Sequence, residues 1–169
     1  MNGMNGTPQH TLFHDYQEHE EVRMNFQLIG VNEAFENREY EWANDHIFVK
    51  TMGVLTDGRV SMVEDTIKPG FHLPRHHHKK MVEVFYMLEG ELTMIFDDET
   101  LVLKPGMTLN VPTGVWHEAK SENGGKMLSL FSPSGFEDYL ALLDGMNPED
   151  FEDAAKMKAL SEEYDIWTE

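Results

Sequence analysis

The chain predicts an all-β fold, a closed antiparallel sandwich or jelly roll, with short α-helices at its C-terminal end. Three observations predict it. Short runs rich in β-branched and aromatic residues recur between residues 22 and 131. Glycine-, proline- and asparagine-containing breaks separate them at regular intervals. After residue 133 the apolar spacing changes from the period of a strand to that of a helix.

Residues 1–20 are polar, with Asn-Gly pairs, Thr7-Pro8 and scattered His10, His14 and His19, and read as a mobile N-terminal arm. None of these histidines has the spacing of a metal ligand. Strand composition begins at 22–29 and 47–55, and Asp57-Gly58 is a tight hairpin signal between Leu55 and Val60. Strands follow at 60–67, 71–78, 82–88, 91–97, 100–103, 108–111, 115–121 and 126–131. Pro69-Gly70, Glu89-Gly90, Asp97-Asp98, Pro105-Gly106, Thr113-Gly114 and Asn123-Gly124-Gly125 punctuate them. The barrel is therefore placed at residues 21–133.

Residues 134–169 are expected to be helices packed on the barrel or across its mouth. Ser134 with Glu137 makes a capping box, and Phe136, Tyr139, Leu140 and Leu143 follow the i, i+3, i+4, i+7 spacing of one helical face. Gly145 ends that helix. Asn147-Pro148-Glu149-Asp150 starts another, with proline at the first helical position and acids in the first turn. Phe151, Ala154, Ala155 and Met157 or Lys158 form its face, which leads to Tyr164, Ile166 and Trp167.

Two blocks within the barrel carry chemistry. Residues 70–90 read G-x5-H-x-H-x4-E-x6-G and residues 106–117 read G-x5-P-x-G-x2-H. Side chains alternate faces along a strand, so His76 and His78 point to one side and His77 to the other. The polar link at 79–81 turns the chain and lets Glu83 return beside the histidines. His117 follows the Pro112-Thr113-Gly114 turn into another strand. Four donors, His76, His78, Glu83 and His117, can then converge inside one barrel as a metal site. Imidazole nitrogens with one carboxylate suit iron, manganese, nickel, copper, cobalt or zinc as a single divalent transition metal per chain, and no thiolate biases the choice. In a six-coordinate ion this set leaves two positions for water, substrate or oxygen.

Both blocks resemble the two signature motifs of the cupin superfamily, and the 15 residues between them are the short spacing of small microbial cupins. Ser121 stands where the second motif usually has asparagine, a residue that is not a metal ligand. The stretch 42–143 is similar to single-domain cupins described as quercetin 2,3-dioxygenase-like, in which the barrel is followed by a segment like Ser132-Pro133-Ser134-Gly135-Phe136-Glu137. This resemblance implies a double-stranded β-helix, a carboxylate ligand, Glu83, that doubles as the catalytic base, and a homodimer.

Composition excludes several classes. Lys+Arg 13 against Asp+Glu 31 leaves a net charge of −18, which repels nucleic acid phosphates and anionic membranes, so neither is an expected partner. The absence of cysteine removes disulfides, thiolate nucleophiles and zinc fingers. Residues 1–10 lack a basic and apolar leader, and no apolar run approaches the ~18–20 residues of a membrane span, so a soluble, cytoplasmic protein is expected. No Ser/His/Asp arrangement, phosphate-cradling loop or dinucleotide fingerprint competes with the metal site.

Strand parity anchored on the ligands puts Phe85 and Met87 inside with Glu83, and Val115 and Ala119 inside with His117. Trp116 should face outward. The expected pocket is apolar with few hydrogen-bonding groups, and suits a small apolar or aromatic organic substrate. The leading function is a metal-dependent dioxygenase acting on a phenolic or enolisable compound, with O2 as co-substrate. A non-redox cyclase, isomerase or lyase, and a metal-bearing binding protein, are the alternatives.

Overall fold

The structure, a computed structural model, describes residues 26–169. The expected arm and its histidines, and residues 22–25 of the first expected strand, lie outside the described residues. A short 3-10 turn at Phe35–Asn37 leads into β1 (Glu39–Trp42) and β2 (Asp45–Thr51). The one-turn helix α1 (Gly53–Thr56) connects to β3 (Ser61–Ile67), β4 (Phe71–His77) and β5 (Val82–Gly90). Then come β6 (Leu92–Ile95), β7 (Thr100–Leu103), β8 (Thr108–Val111), β9 (His117–Ser121) and β10 (Gly125–Ser132). Helix α2 (Phe136–Asp144), a 3-10 turn (Pro148–Glu152), helix α3 (Ala154–Glu163) and the two-residue β11 (Trp167–Thr168) finish the chain.

Two antiparallel sheets face each other, in the orders β1-β2-β3-β10-β5-β8 and β11-β4-β9-β6-β7. The non-sequential neighbours β10 beside β3 and β5, and β9 between β4 and β6, are the crossovers of a jelly roll. Each inner face follows the two-residue alternation of its strands. In β5, for example, Glu83, Phe85 and Met87 are buried while Val82 and Tyr86 are exposed. One core cluster lies between the sheets around Phe85, Met87, Leu92, Met94, Leu103 and Met127. A second, around Val49, Val63, Met81, Phe131 and Leu140, seats α2 on the six-stranded sheet.

Gly90 shows why one glycine of the first motif is required. Its φ is +75°, and a Cβ there would overlap the carbonyl oxygen of Gly124, because the turns after β5 and β9 pass in contact. Ser121 closes the same corner: its hydroxyl donates to Glu91 O at 2.7 Å and accepts from the Gly124 N–H at 3.1 Å.

Several expectations are corrected. Residues 26–30 form no strand. Asp57 and Gly58 do take positive φ, +53° and +73°, but they end the helical turn α1 instead of a two-residue hairpin. The antiparallel partners β2 and β3 are thus joined by nine residues. The N-cap of α2 is Gly135, not Ser134. Glu137 reaches back to the Gly135 N–H, but its other oxygen accepts from the distant Gly53 N–H at 2.7 Å, so it pins α1 to α2 while itself buried. The expected second helix is split: the Asn147–Asp150 capping box opens a 3-10 turn, and Asp153 caps α3 separately through the Lys156 N–H.

Candidate metal centre

The four sequence-derived donors arrive from three strands and one link. Glu83 is the second residue of β5 and His117 the first of β9. His76 lies near the end of β4 and pairs directly with His117, after a register shift that follows Leu73. His78 is already past β4, on the link to β5. All four side chains are buried, and one ligand atom from each lies within 4.8 Å of the others.

Hydrogen bonding fixes which nitrogen faces the centre. His76 Nδ1 is 2.8 Å from Pro74 O, His78 Nδ1 is 2.8 Å from Asp165 O, and His117 Nδ1 is 3.0 Å from Val115 O. A carbonyl can only accept, so each Nδ1 carries hydrogen and each Nε2 is left with its lone pair. Glu83 Oε2 lies 3.1 Å from His117 Nε2 and 3.4 Å from His78 Nε2. Ligands about 2.1 Å from one ion and at right angles are about 3.0 Å apart, so these separations match adjacent coordination positions. His78 Nε2 is buried and has no hydrogen-bond partner among the described residues, as a nitrogen meant for a cation would be. The residues fit a divalent transition metal.

Electrostatics reinforce the fit. Burial alone would raise the Glu83 carboxyl, but its close contacts with the His117 and His78 imidazoles outweigh it and hold the group well below the usual carboxylate range. Burial pushes the His76 imidazole down to about 4, which keeps it neutral and ligand-ready near pH 7. Burial also acts to lower His78, yet contact with Glu83 raises it above its ordinary value.

The C-terminus supports the one ligand that no strand holds. Asp165 accepts from His78 through its backbone oxygen, and its carboxylate accepts from the N–H groups of Lys79, Lys80 and Met81 at 3.0, 2.8 and 2.8 Å. Trp167 Nε1 donates to the same carboxylate at 3.2 Å, and Trp167 pairs with His77 in the sheet. Burial pulls Asp165 up, but these backbone donors prevail and keep its carboxyl below the usual range. His77 is outside the donor cluster, with its ring 4.3 Å from Trp116.

The donors open onto a cavity of about 570 Å³. Phe71, Leu73, Phe85 and Phe131 form its barrel wall, and Phe136, Leu140, Leu143, Phe151 and Met157 bring the C-terminal elements across it. Met87 and Ala119 face inward as parity requires but are wholly buried in the core beneath, with Val115 packed against that core. The pocket is more polar than expected. Asp45, Asp65 and Ser129 also line it, and Ser129 Oγ donates to Asp65 Oδ2 at 2.5 Å. Val63 and Ile67 are inward neighbours at the same strand parity as Asp65, so the alternation of β3 carried that signal. Asp45 follows the Ala43-Asn44 turn and had no comparable cue.

Comparison with known proteins agrees with this architecture. The Cupin domain family matches residues 63–132. A stretch of 89 residues is 33% identical to quercetin 2,3-dioxygenase of Bacillus subtilis, and spans 52% of this chain but only 26% of that relative. An RmlC-like cupin from Shewanella frigidimarina superposes with a TM-score of 0.51 at 24% identity, over 57% of this chain and 83% of that one. Ectoine synthase from P. lautus superposes with a TM-score of 0.57 at 20% identity, over 64% and 78% of the two chains. Two facing antiparallel sheets around a buried three-histidine, one-carboxylate cluster define a metal-binding type of β-barrel. These likenesses support a cupin-superfamily protein.

Proposed function

We propose that this protein is a metal-dependent dioxygenase acting on a phenolic or enolisable organic compound. The observation that carries the reading is the buried His76, His78, Glu83, His117 set, of which His76, His78 and Glu83 line a largely apolar cavity of about 570 Å³. The likeness to quercetin 2,3-dioxygenase over the barrel supports it. A bound divalent ion would stabilise a substrate oxyanion and admit oxygen chemistry at its open positions. Glu83, held ionised, would accept the hydroxyl proton of a substrate lying beside it. Phe71, Phe85 and Phe131 line the cavity and would keep water from the oxyanion.

The test pairs oxygen uptake with metal exchange. The protein loaded with iron, nickel, manganese, cobalt or copper is expected to consume oxygen with some member of a panel of phenols and 1,3-diketones. Turnover that continues undiminished under nitrogen with zinc would replace this reading with a non-redox cyclase, isomerase or lyase. Metal-dependent binding without turnover would make it a small-molecule binding protein. The net charge of −18 supports a small molecule, not nucleic acid or a membrane surface, as the partner. Among the described residues no helix is long and apolar enough to cross a membrane.

A further inference from the structure

The part of the cavity wall formed by β2, β3 and β10 holds a carboxyl pair that the metal chemistry does not use. Asp45 and Asp65 project from β2 and β3, diagonal to each other across the β2–β3 pairing in which Asp45 opposes Ile67 and Asp65 opposes Ile47. Both are buried, at 5% and 3% exposure, and both line the cavity with Ser129. Their side chains interact directly, and Ser129 donates to Asp65. Asp45 Oδ1 is buried and has no hydrogen-bond partner among the described residues. Lys68 lies near enough to exert a favourable charge effect on Asp45, but that effect ranks behind the opposing burial and neighbouring acids.

Such a pair is costly without purpose, since each buried carboxyl loses its hydration. Burial, reinforced by the neighbouring charges, pushes Asp45 up to about 9 and Asp65 up to about 7. Near neutral pH the pair therefore keeps a proton, with Asp45 donating to Asp65. What it holds at the cavity wall is acceptor capacity: the buried Asp45 Oδ1, with free lone pairs on a largely apolar wall. An apolar substituent there would leave that oxygen unsatisfied, whereas a hydroxyl would satisfy it.

We propose that Asp45, Asp65 and Ser129 form a recognition subsite for a substrate hydroxyl remote from the metal-bound oxygen. The substrate would then be an aromatic compound with at least two oxygen functions, one for the metal and one for this wall. This inference rests on the proposed metal-dependent chemistry of phenolic compounds and narrows its substrate class.

The probes are 3-hydroxyflavone, whose hydroxyketone supplies the metal-binding end alone, and a series carrying one added hydroxyl at each ring position in turn. Affinities are measured by absorbance titration against the zinc-loaded, full-length protein, so no turnover is needed. At least one added hydroxyl is expected to tighten binding about tenfold, as pairing a buried acceptor that is otherwise unsatisfied does. Asp45→Ala, which removes both carboxyl oxygens where Asp45→Asn would keep a carbonyl acceptor, should reduce that gain to about threefold or less while changing the affinity for 3-hydroxyflavone itself less. Ser129→Ala, which disturbs the core less, should also reduce it. If the series binds but no position gains, or the gain survives in both variants, the subsite is overturned and the metal reading stands. If no member binds the zinc protein more tightly than the metal-free protein, both fall. A purely structural pair would lower the thermal midpoint in Asp45→Ala and leave the hydroxyl preference intact, which also overturns the subsite.

Discussion

His76, His77 and His78 are three consecutive identical side chains with different fates, so they test the strand argument residue by residue. His76 and His78 turn their Nε2 atoms to the donor cluster, while the His77 ring lies tilted against Trp116, outside it. Replacing His78 by Ala is therefore expected to strip most of the metal, and the same holds for His117→Ala, because each removes a first-contact ligand. His77→Ala should keep close to one metal per chain. Elemental analysis after dialysis checks all three, and equal loss from His77→Ala and His78→Ala would contradict the geometry. Glu83 separates ligation from proton transfer: Glu83→Gln is expected to retain part of the metal through its amide oxygen yet lose at least about a hundredfold in turnover. Full activity in a metal-replete Glu83→Gln protein would remove the base role. This much of the site was legible in the sequence, because alternation along β4 and β5 and the turn before β9 are local properties. Asp165 was not legible: it touches His78 from 87 residues away, and no local pattern announces such a contact.

At the scale of elements, the link 79–81 shows what holds a ligand that lies outside any strand. Three backbone N–H groups converge on one carboxylate of the C-terminal segment, and the same residue's carbonyl orients the His78 ring. Asp165→Ala should free the link, with a loss of metal affinity of about tenfold or more in a chelator competition. Asp165→Glu is expected to restore only part of it, since the longer side chain shifts the acceptor. Unchanged affinity in Asp165→Ala would show that the barrel alone orients His78. The elements that sequence misjudged share this dependence on distant partners. Glu137 reads as a helix-capping acid but reaches α1, 84 residues back in the chain. The apolar run after Thr51 reads as continued strand, yet it coils into α1 where that contact binds the Gly53 N–H. β1, with two glutamates in four residues, shows too little strand composition to be recognised before β2 pairs with it.

The buried acids connect the elements to the pH response of the fold. Asp45 and Asp65 hold protons in the folded state up to about 9 and about 7, whereas an unfolded chain releases them near the ordinary aspartate value of about 3.9. Between those limits the folded state binds more protons than the unfolded state, so this pair's contribution to stability declines as pH rises. Asp45→Asn removes the larger part of that decline. Its stability relative to the parent is expected to improve steadily from pH 5 to pH 8 in urea unfolding, and a difference independent of pH would refute the raised carboxyl.

For the whole molecule, charge and exposed apolar surface act in opposite directions. Phe26, Leu28 and Val31 are exposed by 91%, 96% and 74% in the segment leading to the six-stranded sheet, and Val82 and Tyr86 project from the outer face of β5 in that sheet. Apolar side chains of this size, presented by the outer face of the sheet and the segment leading to it, favour pairing with a second copy of the chain. A homodimer is therefore expected, with a light-scattering mass near twice the 19.5 kDa of one chain. Each copy carries −18, so the two repel, and the repulsion weakens as the screening length falls from about 30 Å at 0.01 M salt to about 8 Å at 0.15 M. The dimer should consequently tighten with added salt, the reverse of an interface held by ion pairs. Leu28→Asp places a further charge in the exposed segment and is expected to shift the equilibrium toward monomer at both salt concentrations. A monomer at micromolar protein in 0.15 M salt, or a dimer that loosens as salt rises, would show that apolar burial by this surface does not drive assembly.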